Sequence, residues 1–244
     1  MPLPAKAFQR WLQGIAPDTS TADVCRVSGI KRTTLAQQMV RGKVAESSVV
    51  AISRAYGINP VAALSTFEAY SSLGGPPAVP SADELVSQVS TTDLLRAVLA
   101  RSATEPDGIP GEVPSLEPAP HSTSVKNWVD AIDDGELRHR VASATGIAPQ
   151  NYSAQLTANR LTPELAVATA EAAEVPPSTG LVASGLITEI EAGWHPDARR
   201  AALSSMSDAR LVALAGERLQ ALGRTLRRQE QDQEQTDMIW ENLG

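Results

Sequence analysis

Between positions 31 and 43 the chain gathers side chains of two complementary kinds. Thr33, Thr34, Gln37 and Gln38 are polar and uncharged, and they follow one another closely. A glutamine amide pairs a donor with an acceptor in the geometry of an adenine edge, and threonine offers both a hydroxyl and a methyl that suits thymine. Lys31 and Arg32 precede this group, and Arg41 and Lys43 follow it. Such cations suit phosphate oxygens, which fix register along a duplex without reading its sequence, and Arg32 also has the donor fork that guanine accepts. Base-reading groups bracketed by phosphate-seeking ones form the chemistry of double-stranded DNA recognition, provided that one helix presents them together.

The neighbouring residues predict such a helix. Residues 21–38 have the pattern of two short helices meeting at a tight turn. Cys25 is small where the second helix crosses the first. Gly29 supplies the left-handed conformation that ends the first helix, and Ile30 and Leu35 pack the pair together. A second helix over residues 32–40 is expected, with a further helix within 44–56. This segment resembles the lambda-repressor-like (XRE-type) helix-turn-helix family, and residues 49–64 are similar to that family's closing helices. More narrowly, Phe8-Gln9-Arg10-Trp11-Leu12, Lys31-Arg32-Thr33-Thr34-Leu35 and Pro60-Val61-Ala62-Ala63-Leu64 resemble immunity repressors of actinobacterial phages. The resemblance covers residues 7–101. It implies that the N-terminal half of the second helix enters the major groove, with Thr33, Thr34, Gln37 and Gln38 as base readers and repression of transcription as the outcome. Gln38 departs from the family pattern, which places an apolar residue there; Met39 is available to take over the packing.

The pattern occurs twice. Sliding the chain by 117 residues superimposes Trp11 on Trp128, Ile15 on Ile132, Val24 on Val141, Gly29 on Gly146, Ile30 on Ile147 and Gln38 on Gln155. The register persists to Val50 on Val167, Pro60 on Pro177 and Leu64 on Leu181, which marks a duplication. Residues 103–122 separate the copies with five prolines, four acids and no base, a composition that stays extended. The expected architecture is therefore all-α: a helix-turn-helix domain at 1–102, a Pro-rich acidic linker at 103–122, a second, divergent helix-turn-helix domain at 123–204, and a long C-terminal helix with a polar tail at 205–244. In the second copy Gln150, Asn151, Tyr152 and Gln155 occupy the reading stretch, and Arg160 is a candidate phosphate contact. Lys126, Arg138 and Arg140 lie near Asp133, Asp134 and Glu136, so the positive field is weaker there. Two readings stay open. In one, both copies contact a bipartite operator, tethered through the linker; in the other, the second copy binds protein or dimerises.

Composition bounds the remaining classes. The 244 residues are 42% apolar and only 4% aromatic, which favours a helical core. The net charge of −7 is unevenly spread, since residues 1–102 carry +3. No run of roughly 18 apolar residues suggests a membrane span, and a cytoplasmic location is expected. Cys25 is the one cysteine, His121, His139 and His195 are scattered, and no phosphate loop, nucleophile elbow or metal-ligand spacing is present. No enzyme activity, cofactor, metal or small-molecule ligand is expected. Helix starts are expected at Thr92 and Ser207. Leu211, Leu214, Leu219, Leu222 and Leu226 form a stripe that either closes its own core or pairs with a second chain as a homodimer, although Gly216 and Gly223 interrupt it. Beyond it, a Gln/Asp/Glu run of disordered character leads to Met238, Ile239, Trp240 and Leu243. The competing function is a helix-turn-helix scaffold that binds protein, as an antirepressor or adaptor would.

Overall fold

The computed structural model of the chain describes residues 3–76, 78–102 and 115–243, with the side chains at 235–237 and 239–243 outside the description. The protein is all-α, with 68% helix and 2% strand. Among the described residues the strand content is one antiparallel pair, β1 (Leu3–Pro4) and β2 (Lys43–Val44), in which Leu3 faces Val44.

Five helices make the first copy: α1 (Ala5–Ile15), α2 (Thr21–Ser28), α3 (Arg32–Val40), α4 (Glu46–Ala55) and α5 (Pro60–Ser65). A 3-10 helix, Glu68–Gly74, and α6 (Ala82–Ser87) follow, and α7 (Thr91–Ser102) comes next. The second copy contains α8 (Ser124–Ile132), α9 (Leu137–Thr145), α10 (Pro149–Thr157), α11 (Pro163–Ala172) and α12 (Pro177–Ala183); α13 (Ala198–Ser205) and α14 (Asp208–Leu243) complete the chain. Shifting α3 and α4 by 117 residues lands on the bounds of α10 and α11. The buried positions follow the same shift: Val24 with Val141, Leu35 with Tyr152, Val50 with Val167 and Leu64 with Leu181.

Backbone conformation repeats too. Gly29 and Gly146 both end their helices at φ 70°. Gly42 at φ 71° corresponds to Asn159 at φ 50°, and Gly57 at φ 67° to Glu174 at φ 57°. A left-handed non-glycine residue is uncommon. Asn159 gains from it, because its Oδ1 accepts from the Val125 and Lys126 N–H groups at the start of α8, at 2.9 and 3.3 Å.

The chain divides into two compact units whose bounds differ from the sequence-based segments. Unit 1 combines Met1–Gln88 with Pro118–Arg199, so both copies share it; unit 2 combines Val89–Glu117 with Arg200–Gly244. The physical reason lies in unit 1's long-range contacts. The Arg54 guanidinium makes a two-pronged bond to Glu191, at 2.7 and 2.8 Å, and Asn59 Nδ2 donates to the Glu191 carbonyl at 3.0 Å. The 3-10 helix packs on α11 and α12, and α6 packs on α8. Gln88 Nε2 donates to the Ser124 carbonyl and Arg199 Nη1 to the Gln88 carbonyl. The two copies are thus one body rather than two tethered ones. Of the expected linker, 103–114 lie outside the described residues; the remainder is engaged, Glu117 N–H donating to Asp93 Oδ2 at 2.8 Å within unit 2.

Close approach inside the second copy depends on one glycine. A Cβ at Gly180 of α12 would stand 2.5 Å from the Ala166 carbonyl oxygen and 2.9 Å from Trp128 Cη2. Trp128 is buried beneath that contact, whereas its counterpart Trp11 is half-exposed and packs, with its ring tilted by 42° and 53°, against Phe8 and Phe67. In the first copy, the Tyr70 hydroxyl donates to Glu46 Oε1 at 2.8 Å, and burial beside that carboxylate pushes the phenol well above its usual range.

Two helix-end expectations change. The α7 cap is Ser90, whose Oγ accepts from the Asp93 N–H at 3.1 Å, rather than Thr92. The Gln/Asp/Glu run is helical, since α14 continues to Leu243; Gln, Glu and Arg are good helix formers, which outweighs the low apolar content.

Candidate nucleic-acid interface

The turn that positions α3 is built from local chemistry. Ser20 Oγ accepts from the Asp23 N–H at 3.2 Å and starts α2, the Arg26 side chain bonds Asp23, and Gly29 in the left-handed region stops the helix. Hydrogen bonds from Ser20 and then Arg26 hold the Asp23 carboxyl below its usual range. Cys25 and Leu35 are buried where the two helices cross, and Ile30 is half-buried. Anchored by Leu35, α3 turns its other side outward.

That outer side carries most of the expected readers. Arg32, Thr33, Thr34 and Gln37 are exposed on the N-terminal two turns of α3, Lys31 is exposed just before it, and Arg41 and Lys43 are exposed just after it. Among the described residues, none of Lys31, Arg32, Arg41 or Lys43 forms an ion pair. Their charge is therefore available to an external anion. Ala36 and Val40 share the face of Thr33 and Gln37 at helical spacing, and Val40 is 89% exposed. Both were missed in the sequence, because an apolar residue near a helix end reads as core; the missing signal is that position 40 falls off the Leu35 stripe.

Gln38 differs from the expectation. Its side chain turns inward, half-buried, and Oε1 accepts from the Ala45 N–H at 3.2 Å and from Ser48 Oγ at 3.0 Å, which ties α3 to the start of α4. Gln155 repeats this role, accepting from the Thr162 N–H at 3.3 Å before α11. One helical step from the buried anchor, these two glutamines are pins between helices rather than open base readers.

The second copy presents a thinner surface. Gln150 and Asn151 are exposed on the first turn of α10, and Arg160 is exposed beyond its end. Tyr152 is not part of that surface. It is 1% exposed, and its hydroxyl bonds Thr169 Oγ1 at 3.0 Å. The aromatic ring fills the position that Leu35 fills in the first copy, and its polar tip is satisfied internally. Arg138 pairs with Asp133 at 3.7 Å, Arg140 with Asp134 at 2.9 Å, and Lys126 with Asp130. The Arg140 bond holds the Asp134 carboxyl below its usual range. Local acids thus neutralise these three cations and leave Arg160 without an ion pair among the described residues.

Among the described residues, no group of three or more His, Cys, Asp or Glu is placed to hold a metal, and no helix is long and apolar enough to cross a membrane. His121 bridges the Ser87 carbonyl at 3.1 Å and thereby joins α6 to the start of the second copy. No family model, curated protein or solved structure matches the chain, so the exposed face of α3 and its four cations carry the functional reading by themselves.

Proposed function

We propose that the protein is a sequence-specific double-stranded DNA-binding regulator of transcription, a repressor of the phage immunity type, acting in a bacterial cytoplasm by binding rather than catalysis. The observation that carries this reading is the face of α3. Thr33, Thr34 and Gln37 are exposed together, Leu35 fixes the helix beneath them, and four cations without ion pairs among the described residues flank them. Threonine and glutamine read base edges in the major groove while the cations clamp phosphates. Gln150 and Asn151 extend the site from α10, and Arg160 adds one phosphate contact. Both copies belong to one compact unit, and the unlike exposed residues of α3 and α10 suit an asymmetric operator.

The pairing of Arg138, Arg140 and Lys126 with acids favours a second reading for α10, in which that copy contacts protein and α3 alone reads DNA. Selection of bound duplexes from a random pool, followed by titration across salt, tests both. Neutralising four or five phosphates gives a slope of log K against log salt near −4, a fall of roughly 10²- to 10³-fold between 50 and 200 mM. No retarded species at low salt and micromolar protein overturns the DNA reading. An identical selected site after Gln150→Ala and Asn151→Ala assigns the second copy to protein.

A further inference from the structure

The helix α14 is far longer than its cover. Its 36 residues span ~54 Å, against ~18 Å for the 12 residues of α7 that pack on it in unit 2. Leu211 and Ala215 are buried at that contact, whereas Leu219, Leu222 and Leu226 are 45%, 45% and 48% exposed. The exposed leucines obey a heptad. Beyond Ala215, which is covered, Leu219, Leu226 and Gln233 fall at its a positions, and Leu222 and Gln229 at d. Gly216 and Gly223 flank the seam at e, with open space around both, so a second helix approaches closely there.

Charge indicates what covers this seam. Residues 209–228 hold five arginines and one acid, whereas 230–243 hold five acids and no base. A parallel copy sets acid beside acid and arginine beside arginine. An antiparallel copy centred on the leucines sets the 209–218 stretch of each helix, with Arg210 and Arg218, along the acidic 230–239 stretch of the other, while Arg224, Arg227 and Arg228 fall at f, b and c, away from the seam.

We propose that α14 pairs with the α14 of a second copy of this chain as an antiparallel coiled coil, centred where Leu222 of one protomer meets Leu226 of the partner subunit. In this register Leu219 lies opposite Gln229 of the partner subunit. Arg218 and Asp232 of the partner subunit fall at adjoining g positions on one flank. The glutamine layers beyond the leucines lower affinity and fix register, as polar core positions do. The pairing stands on unit 2 alone and is read without DNA, so its failure and the failure of the DNA reading are separate results.

Sedimentation equilibrium of the full chain at micromolar concentrations gives a dimer that weakens as salt rises. Leu222→Asp weakens it by at least about 100-fold, with far-UV circular dichroism unchanged because Leu222 is half-exposed. Orientation is read by the distance between spin labels at Glu234→Cys, a position off the seam. Antiparallel pairing about Leu222 and Leu226 separates the two labels by about 20 residues, or ~30 Å, whereas parallel pairing leaves them about 10 Å apart. A monomer throughout the range, a dimer indifferent to Leu222→Asp, or a distance near 10 Å each overturns the proposal.

Discussion

Replacing Gly180 by alanine sets two effects of opposite sign against each other. Gly180 lies inside α12, where alanine is the better helix former by about 1 kcal/mol, so propensity alone predicts a more stable protein. The added Cβ meets the Ala166 carbonyl oxygen at 2.5 Å, some 0.9 Å inside the 3.4 Å at which ordinary contact begins, and Trp128 Cη2 at 2.9 Å. Neither neighbour has room to yield: one is helix backbone, and the other is a ring 1% exposed. Overpacking of this kind costs about 1–3 kcal/mol, and a clash with backbone falls at the upper end. The net expectation is a loss of ~2 kcal/mol. For a unit of about 170 residues this lowers the melting temperature by roughly 4–8 °C. Thermal and urea unfolding measure it. The matched residue of the first copy, Ala63, is already alanine and is buried; Ala63→Gly is expected to lose ~1 kcal/mol through propensity and about as much again through its buried methyl. An unchanged or raised melting temperature for Gly180→Ala refutes the close approach of α11, α12 and Trp128.

The remaining expectations separate interface from scaffold. Tyr152→Phe removes a buried hydroxyl from Thr169 and lowers stability by ~1 kcal/mol while binding to selected duplexes holds; lost affinity at full stability would return Tyr152 to the DNA surface. Thr33→Ala and Gln37→Ala each relax discrimination by about 1–3 kcal/mol at one base position, read by competition with mismatched duplexes, with melting unchanged. Arg54→Ala cuts the bond joining the two copies within unit 1 and lowers stability by about 1–2 kcal/mol in urea titrations at neutral pH. The Arg54 bond holds the Glu191 carboxyl below its usual value of 4.5, so this contribution is complete above that value and disappears as pH falls through the lower folded value. Arg54→Ala accordingly flattens the acid limb of the stability profile below about pH 4.5; an unaltered limb would show that Glu191 is not held by Arg54.

Local rules made α3 and α10 legible. Gly29 and Gly146 mark the turns, and the bounds 32–40 and 149–157 follow from the first helical residue after each turn and from the spacing of Leu35 and Tyr152. Tyr152 itself was misplaced because it stands among Gln150, Asn151 and Gln155, whose polarity suggests an exposed stretch; its alignment with Leu35 already pointed to the core. Gln38 and Gln155 were ambiguous for a related reason, since an amide serves a base edge and a neighbouring helix N-terminus equally well. The union of the two copies had no local signature. It rests on Arg54 and Glu191, 137 residues apart, and on α6 against α8, whereas the intervening proline-rich composition suggests separation.

The interleaving of the two units has a consequence for how the protein is made. Unit 1 closes only after residue 199 has been synthesised, although its first segment ends at residue 88. At 5–20 residues per second, the first copy waits about 5–20 s for the packing partner that bonds Arg54 and packs on the 3-10 helix. During that interval a freshly emerged α3 precedes the rest of unit 1. A nascent chain therefore presents the outer face of α3 before the second copy exists to pack against the first.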